Sequence, residues 1–474
     1  MLEGLEISEV KLSKIGFENK VFRIDAEYFR KQFLREDLLR IKYQNCYLGE
    51  NSFITDGQHG YHEVDESSEI SHLTAKNFKN WFANTNNADR LAKWVDENNK
   101  RSSLQVNDIV LTTRGTVGYC AIVKQEVLPA NIDQDVARIA IDENSKINPQ
   151  YLVSYINSRF GQDWTKRNQT GMVQQGLALW RVEEFPIPVL NKFFQNKISE
   201  LVEVSYNSII SSKKTYKQAE NILLETLGLK DFAPSREKVN VKSFKDSFLK
   251  SGRLDAEYYQ IKYDEIESKL EQLDYIQIKD VFDLLSNPSP NKYLTSGTKV
   301  IKTKNIRIPS IEFESITDHT IDECLKVKQN DILFASMGVG SLGRVSYIDS
   351  DIKNCTIDGT IKVLRIKDVW KNHSIEIPVM LFLTSKLGQE LIYKYIIGST
   401  GIISISKFNI ANLIIPEFDN HSAKKMSRLV LESINFKKQS EQLLQLAKNA
   451  VEKAIEEGEE SAMSYINEHL DTKE

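Results

Sequence analysis

The sequence predicts an α+β protein built from two copies of one unit, each a mixed α/β globule followed by a long helix. In a chain of 474 residues, the phrase Arg23-Ile-Asp-Ala-Glu-Tyr-Phe29 returns as Arg253-Leu-Asp-Ala-Glu-Tyr-Tyr259. Later segments recur in the same order and at nearly the same offset. Two long stretches without proline, 193–230 and 419–458, close the two units. Repetition of several segments in one order indicates a tandem duplication.

The composition is that of a globular protein, with 41% apolar and 27% charged residues. No segment approaches the roughly 18 apolar residues of a membrane span, and the N-terminal residues lack the apolar core of a signal peptide. The four cysteines are scattered without a CxxC pair, which suits a reducing compartment, so we expect a cytoplasmic protein without membrane contact. A net charge of −4 is unusual for a stand-alone nucleic-acid binder, so any DNA binding would use local patches or a partner.

In the first unit, residues 28–43 have the apolar spacing of a helix, and 108–123 reads as two short strands around an Arg-Gly turn. Asn148-Pro149 opens a predicted helix over 149–164, because proline suits the first helical turn. A polar loop follows at 167–180. The second unit repeats this order, with 331–348 answering 108–123 and 377–392 answering the 149–164 helix.

The sequence therefore divides into six predicted segments. They are a first globule at 1–192, a first long helix at 193–230, a linker at 231–252, a second globule at 253–418, a second long helix at 419–458, and a frayed polar tail at 459–474.

Each long helix carries a heptad row of large residues beside a row of small ones, which predicts a closely packed coiled-coil face. The predicted seam of the first helix consists of Val202, Ser205, Ile209, Ser212, Tyr216, Ala219 and Leu223. The predicted seam of the second helix consists of Val430, Ser433, Ser440, Leu444, Ala447 and Val451.

The sequence contains no convincing catalytic motif. Asn148-Pro-Gln-Tyr151 approaches the NPPY loop of adenine methyltransferases but lacks the second proline. Gly338-Val-Gly-Ser-Leu-Gly343 has dinucleotide-loop spacing but lies between two strands instead of opening a helix. The repeated acids Asp25, Glu27, Asp255 and Glu257 fall at a loop-to-helix junction and are interpreted as helix N-terminal charges. No catalytic residue is predicted.

Asp56, His59, His62 and His72 are residue types that could bind a metal. An HxxH pair without a cysteine partner or a helix is weak evidence for a metal, and the second unit has no histidine there. A solvated or ligand-facing loop is the favoured interpretation, and no metal is predicted.

In their doubled order, the loops of the form DIL…GxxG, TG… and IPxP make the chain resemble the specificity (S) subunit of a type I restriction–modification system. The related S subunits of two-component type II systems are the alternative. The family's usual PL…EQ helix opening appears here only as FPIPVLNKFFQNK and IPEFDNHSAKK, which weakens the type I assignment slightly relative to the type II one. The resemblance implies that each globule is a target-recognition domain reading one half of a bipartite, asymmetric DNA site.

The resemblance also implies that the two long helices pair as an antiparallel coiled coil, set the gap between half-sites and dock the partner subunits. The expected partners are double-stranded DNA, two DNA adenine methyltransferase (M) subunits, and restriction (R) subunits. S-adenosylmethionine, ATP and Mg would be bound by those partners, with no cofactor and no catalysis on this chain.

Base readout favours arginine, lysine, asparagine and glutamine on exposed loops. In the first globule the predicted DNA-contacting residues are Gln58, His59, Gly60, Tyr61, Lys76, Asn77, Arg114, Arg167, Thr170, Gln174 and Gln175. In the second globule they are Lys302, Lys304, Asn305, Arg307, Ser336, Ser399, Thr400 and Lys407. Tyr28 and Tyr258 of the repeated phrase are expected to be buried where each globule meets the long helices.

Two other hypotheses stay open. A self-contained DNA methyltransferase or nuclease would need the cofactor or metal motifs that the sequence lacks. A coiled-coil adaptor that binds only proteins would show no sequence-dependent DNA binding, even with its partners present.

Overall fold

The structure is a computed structural model that describes residues 7–12, 15, 23–171, 175–237, 239–290, 292–322, 324–352, 354–398 and 401–471. The chain divides into two units, Met1–Ser208 with Gln439–Glu474, and Ile209–Lys438. Each unit contains one globule and half of each long helix. We call residues 23–191 the first globule and residues 253–419 the second globule.

The first globule and the helix that follows it contain fifteen α-helices and β-strands in the described residues. In chain order they are α1 (Lys31–Arg40), β1 (Asn45–Tyr47), β2 (Ser52–Asp56), β3 (Ser71–Leu73), β4 (Asp89–Arg90), α2 (Lys93–Asn98), β5 (Ile109–Thr112), β6 (Cys120–Ile122), β7 (Ala130–Ile132), β8 (Val136–Ile141), α3 (Pro149–Asn157), α4 (Arg159–Asn168), α5 (Leu179–Glu183), β9 (Pro186–Pro188) and the long helix α6 (Lys192–Thr226).

The rest of the chain repeats the order of the nine strands. Its elements are α7 (Phe248–Ser251), α8 (Ile261–Glu271), β10 (Tyr275–Gln277), α9 (Ile278–Val281), β11 (Phe282–Ser286), β12 (Thr298–Ile301), β13 (His319–Thr320), β14 (Ile332–Ala335), β15 (Val345–Tyr347), β16 (Cys355–Ile357), β17 (Ile361–Ile366), α10 (Glu376–Thr384), α11 (Lys386–Lys394), α12 (Lys407–Ala411), β18 (Ile414–Pro416), the long helix α13 (Asn420–Glu457) and α14 (Glu459–Asp471).

The sheets confirm the duplication strand by strand. In the first unit the strands form a four-stranded sheet of order β2-β8-β5-β6, a three-stranded sheet of order β4-β3-β7, and a β1–β9 ladder. The second unit has β11-β17-β14-β15, β13-β12-β16 and β10–β18. In each three-stranded sheet the central strand pairs antiparallel with one neighbour and parallel with the other. The tandem α+β architecture predicted from the sequence is therefore confirmed.

The four-stranded sheet of the second unit has a hydrophobic cluster on each face. Ile332 and Phe334 of β14 belong to a cluster with helices α8, α10 and α11 and with parts of the long helices. Leu333 and Ala335, which alternate with them along the strand, belong to a cluster with β12 and β16. Because side chains along a strand point alternately to opposite faces, a continuous apolar run such as Ile-Leu-Phe-Ala suits a sheet that is covered on both sides.

The helix predicted over 149–164 is two helices, α3 and α4, with Ser158 in extended conformation between them. Its counterpart in the second globule breaks in the same way at Ser385, whose Oγ accepts a hydrogen bond from the Gly388 amide. A Cβ on Gly161 would lie 2.4 Å from the Ile156 carbonyl oxygen, and one on Gly388 would lie 2.1 Å from that of Phe382. Glycine at this position therefore lets the second helix fold tightly against the first.

The long helices run antiparallel in both units and meet through their small residues. In the first unit, the hydroxyl oxygens of Ser205 and Ser440 are 2.7 Å apart. In the second unit, those of Ser212 and Ser433 are 3.0 Å apart, and all four serines are buried. The residue number rises on one helix as it falls on the other, which confirms the antiparallel pairing.

Some of the large residues of the predicted seam pack against the globule. Leu223 and Val430 are members of the main cluster of the second unit, and the hydroxyl oxygen of Tyr216 lies 2.9 Å from Thr384 Oγ1 at the end of α10. Serine and alanine let the two backbones approach closely, which leaves the larger side chains to pack against the globule.

The predicted frayed tail is wrong for residues 459–471, which form α14. Gly458 has a positive φ of 102° and separates this helix from α13. Ala462 and Ile466, four residues apart on one helix face, are fully buried, and Asn449 donates a hydrogen bond to the Tyr465 hydroxyl. The acidic composition of the segment concealed this short apolar stripe.

Among the described residues, no helix has both the length and the apolar character needed to cross a membrane.

Candidate nucleic-acid interface

A loop is docked on the end of the central strand β5 in the first globule. The backbone amide of Leu177 donates to the Thr113 carbonyl at 2.8 Å, and Arg114 pairs with Gly176 as an antiparallel bridge. Thr170 and Gly176 exchange two backbone hydrogen bonds of 2.9 Å. The two ends of this loop, at Thr170 and Gly176, are therefore joined to each other, and Gly176 and Leu177 are held against the sheet.

The second globule holds a loop in the same way at the end of β14. The amide of Ile405 donates to the Ser336 carbonyl at 3.0 Å, and Ile397 and Ser404 exchange two backbone hydrogen bonds of 2.9 Å. These contacts are backbone to backbone, so the loops can differ in side chains while they keep the same position. The predicted residues Gln174, Ser399 and Thr400 lie outside the described residues, whereas Gln175 is exposed.

A cavity of about 220 Å³ lies beside this loop in the first globule. It brings the predicted residues Arg114 and Thr170 together with Asp56 and Gln134. Arg114 is exposed and lies 3.7 Å from the Asp135 carboxylate. Four segments that are distant in sequence thus converge on one polar cleft.

The loop carrying Gln58, His59, Gly60 and Tyr61 leaves the sheet directly after β2. His59 Nε2 lies 2.7 Å from the Asp56 carboxylate, which also accepts a hydrogen bond of 2.9 Å from Arg101. Burial alone would raise the pKa of Asp56, but the hydrogen bonds from His59 and Arg101 outweigh it and lower that pKa.

This loop presents an aromatic side chain at its tip. The Gln58 side chain donates to the Tyr61 carbonyl at 2.9 Å, and Gly60 has a positive φ of 81°, which glycine adopts easily. Tyr61 is 87% exposed. The loop is therefore ordered by its own polar side chains, with Tyr61 free to contact a ligand.

Two predicted contact residues, Asn77 and Asn305, are buried and are corrected to structural residues. Asn77 Oδ1 accepts from the Thr74 amide at 3.0 Å, and its amide group donates to the Asn86 carbonyl. Asn305 makes the equivalent bond with the Lys302 amide at 2.8 Å. Both cap a 3₁₀ turn, Ala75–Phe78 or Thr303–Asn305, and an occupied, buried amide cannot reach a base edge.

The lysines on these turns remain at the surface, where Lys76 and Lys304 are exposed and Lys302 is half-buried. Lys302 and Lys304 lie 3.2 and 3.3 Å from the Asp318 carboxylate. Arg307 pairs with Glu312 at 3.2 Å. Such exposed ion pairs are weak, so a phosphate could replace the carboxylate at small cost.

Ser336 is also corrected, because it is buried and its hydroxyl donates to the Thr360 carbonyl at 2.9 Å. Arg167 is the fourth residue to be corrected. Its side chain is largely buried, donates to the Tyr28 carbonyl and the Asp37 carboxylate, and lies 4.3 Å above the Tyr28 ring. Arginine is common both at DNA interfaces and stacked on aromatic rings inside proteins, so residue type alone does not distinguish the two roles.

The repeated phrase ties the start of each globule to the base of its loop. Arg23 binds Asp25 through two nitrogens, and it donates to the Arg167 carbonyl at 2.8 Å and to the Gln169 carbonyl at 3.3 Å. In the second globule Arg253 binds Asp255 in the same way and donates to the Ile396 carbonyl at 3.0 Å. We call these contacts the first and second arginine latch.

Tyr28 and Tyr258 lie beneath the latches. The cations over Tyr28 are Arg23 and Arg167, and those over Tyr258 are Arg253 and Lys394. The prediction that both tyrosines are buried against the long helices is therefore wrong, because Arg167 and Lys394, which lie over their rings, belong to α4 and α11. Tyr28 is buried, whereas Tyr258 is only half-buried.

The second globule also has two pairs of like charges that sequence reasoning missed. Burial, and then the ammonium of Lys407, lower the pKa of Lys362. Burial, and then Arg307, lower the pKa of Arg344. Lys407 and Arg307 were predicted contacts, and each has gained a cationic neighbour from another segment. Clustered cations create a positive patch suited to a phosphate backbone. The only sequence feature that could have indicated this cluster is the alternation of apolar and polar residues along the strand around Lys362.

The four residues considered as a metal site separate into two groups. Asp56 and His59 bind each other, whereas His62 and His72 are in contact, with ring centroids 3.8 Å apart. Burial, and next the neighbouring His62, lower the pKa of His72 to about 4, so this imidazole is neutral near pH 7.

Comparison with known families gives one match to a family model. Residues 64–221 match the type I restriction modification DNA specificity domain. The matched segment begins near the end of the Tyr61 loop and includes the docked loop and most of α6. This segment is therefore similar to a DNA specificity domain, and the predicted resemblance to specificity subunits is confirmed over it.

Among curated proteins, the chain is 28% identical over 134 residues to the type I restriction enzyme EcoBI specificity subunit of Escherichia coli. That alignment covers 28% of this chain and 28% of the relative. Among solved structures, the S subunit of a type I restriction–modification system from M. genitalium is 13% identical. It has a TM-score of 0.43, over 87% of this chain and 96% of that one. The HsdS subunit from Thermoanaerobacter tengcongensis is 12% identical with a TM-score of 0.28, over 88% and 97%.

Proposed function

We propose that this chain is the sequence-recognition subunit of a restriction–modification complex, in which each globule reads one half of a bipartite DNA site. The observation that supports this most is the docked loop. A loop is held on the end of the central strand by equivalent backbone bonds in both globules, while the side chains around it differ. The family match over 64–221 includes the first of these loops in a DNA specificity domain.

In the first globule, the proposed DNA surface combines the Tyr61 loop, Lys76, and the cleft with Arg114 and Thr170. Tyr61 can stack on or contact a base or sugar, and Arg114 can reach a guanine edge or a phosphate. In the second globule the surface combines Lys302, Lys304 and Arg307 with the Lys362–Lys407 pair. Because the two surfaces differ in chemistry, the two half-sites would differ in sequence.

The proposed chain is non-catalytic and acts with partners. Adenine methyltransferase subunits would supply S-adenosylmethionine chemistry, and restriction subunits would supply ATP- and Mg-dependent cleavage. The paired helices α6 and α13 would dock the methyltransferases, two in number, and their length would set the gap between the half-sites. Partner subunits would also contribute sequence-independent phosphate contacts, which accounts for the modest net charge of this chain. A two-component type II system would use the chain in the same way.

The test is to express the chain with and without a DNA methyltransferase encoded beside it, and to map adenine methylation across the host genome. We expect a bipartite motif with a fixed unspecified gap, found only when both proteins are present. Methyl transfer by the purified chain alone would instead support the self-contained enzyme. No sequence-dependent DNA binding with the partner present would support the adaptor.

A second arm tests modularity. Replacing residues 20–192 with the equivalent globule of another specificity subunit should change one half of the motif and leave the other intact. Lengthening 193–228 together with 420–457 should change only the gap. A change in both halves, or in neither, would contradict the assignment of one half-site to each globule.

A further inference from the structure

Three possible metal ligands converge at the edge of the three-stranded sheet of the first globule. His72 on β3 and Asp89 on β4 lie directly opposite each other in the antiparallel register. His62, from the loop that follows Tyr61, brings its ring against that of His72. One ligand atom from each of the three residues lies within 4.8 Å of the other two. Small side-chain movements would bring the three atoms onto one ion.

His72 has a buried polar atom that the protein does not satisfy. The residue is 3% exposed, and its Nδ1 has no hydrogen-bond partner among the described residues. Buried ring nitrogens without a protein partner are uncommon in folded proteins, and they often bind an ion or a water molecule. A neutral imidazole in this position presents a lone pair that can bind a metal.

In the second globule the equivalent acidic residue is paired with lysines and has no histidine opposite it. The sheet registers make Val300 equivalent to His72 and Asp318 equivalent to Asp89. Asp318 is paired with the ammonium groups of Lys302 and Lys304. Asp89 has no ion-pair partner within the described part of the chain, and Thr74 stands in the first globule where Lys302 stands in the second. The first globule thus keeps the acid, as Asp89, but has only one of the two lysines, as Lys76. Two imidazoles, those of His62 and His72, lie near the acid instead.

We propose that His62, His72 and Asp89 bind a divalent transition-metal ion of the zinc class. Two imidazole nitrogens and one carboxylate oxygen form a ligand set that zinc accepts, and three protein ligands leave one position for water. The bound ion would tie the loop of Gln58–Tyr61 to the sheet through His62. It would therefore add a second constraint to a loop that belongs to the proposed DNA surface and is otherwise held by its own polar side chains. The binding of metal itself does not depend on the proposed function, whereas its effect on DNA reading does.

The experiment uses the full chain without a polyhistidine tag, freed of metal with a chelator. Zn²⁺ is titrated by calorimetry, and Co²⁺ by its visible absorption bands, which report tetrahedral or five-fold nitrogen and oxygen ligation. We expect one tightly bound ion per chain. His62→Ala and Asp89→Asn, which change accessible positions and leave the buried His72 in place, should each weaken binding by about 100-fold or more, because loss of a supporting residue alone can cost 10–100-fold.

His59→Ala is the matched control, because His59 lies in the same loop but is paired with Asp56. His319→Ala is the control in the second globule. Both should bind Zn²⁺ and Co²⁺ as the unaltered chain does. No saturable binding by the unaltered chain, or unchanged affinity in His62→Ala and Asp89→Asn, would overturn the proposal. Circular dichroism of each variant separates loss of a ligand from loss of the fold. If metal binds but no DNA motif is found, the proposed function fails and the metal site stands.

Discussion

The two globules share every strand pairing, yet they place the charges that stabilise those strands differently. In the first globule, Asp108 before β5 binds Arg138 of β8 at 2.6 Å. In the second, the equivalent Asp331 binds Arg365 of β17 at 2.7 Å. The registers with β5 and β14 show that Arg365 lies two positions further along its strand than Arg138 does. Two positions preserve the face of a strand, so the ion pair survives the shift.

The same comparison holds around the arginine latches. Arg167 with Asp37 in the first globule corresponds to Lys394 with Glu267 in the second. In both, a cation covers the tyrosine of the repeated phrase and pairs with an acid on the first helix. The comparison teaches that the duplicated fold has kept its contacts more closely than its residues. Residues that differ freely, such as those on the docked loops, are the candidates for specificity.

The largest expected difference between the globules lies in their buried ion pairs. Asp108→Asn should lower the free energy of unfolding by about 3–5 kcal/mol, because it leaves the guanidinium of Arg138 buried without a counter-charge. Asp331→Asn should cost less, because the side chain of Arg365 is 23% exposed against 8% for Arg138 and can be hydrated. Urea unfolding curves measure both. Equal losses would show that burial does not distinguish the two pairs.

The second prediction tests whether the two long helices pack equally closely against each other in the two units. Ser205→Leu in the first unit and Ser212→Leu in the second should each cost about 1–3 kcal/mol, because a larger side chain cannot fit between the helices. The matched controls Ser205→Ala and Ser212→Ala should each cost about 1 kcal/mol or less, since only a hydrogen bond is lost. Thermal unfolding of the four variants provides the measurement. A leucine tolerated in one unit only would show that the seams differ.

The arginine latches provide a test of independence. Arg23→Ala should weaken recognition of one half-site about tenfold, equivalent to about 1.4 kcal/mol, because the base of the docked loop loses its anchor. Arg253→Ala should do the same to the other half-site. The readout is the methylation motif made with the partner subunit. Arg30→Ala, which removes an exposed ion pair with Glu27, is the control. Relaxed specificity in both half-sites from a single latch variant would contradict separate reading.

The smallest expected effect is a pH dependence that only the first globule has. Burial, and then a hydrogen bond shared with Asp163, raise the pKa of Glu36 to about 8, whereas the equivalent position in the second globule is the buried Ile266. The folded state therefore holds a proton that the unfolded state releases above its pKa of 4.5. Stability from this group is lost as pH rises from about 4.5 to about 8.

Glu36→Gln should remove that dependence. Because Asp163 is only half-buried and solvent screens the pair, we expect the Tm of the variant to exceed that of the unaltered chain by about 2–4 °C at pH 8. This difference should shrink towards pH 5. Calorimetry of the variant and of the unaltered chain at both pH values measures it. A constant difference across this range would show that Glu36 is already ionised in the folded state.

The sequence alone determined the duplication, the order of elements, the two long helices and their row of small residues. These features rest on periodicity and on glycine, proline and small-residue positions, which act locally along the chain. It also identified the docked loops and the Tyr61 loop as surface candidates, because polar, glycine-containing segments between apolar runs are seldom buried.

Only the tertiary structure decided which polar side chains are free. Asn77, Asn305, Ser336 and Arg167 have the residue types of DNA contacts, but each is occupied by a protein partner. The asparagines bond to residues within ten positions of them, and Ser336 and Arg167 bond to distant segments. His72 and Asp89 are seventeen residues apart in sequence and become neighbours only through the register of β3 with β4. Whether a polar group faces solvent or a protein partner depends on long-range packing, and residue type and local spacing do not encode that packing directly.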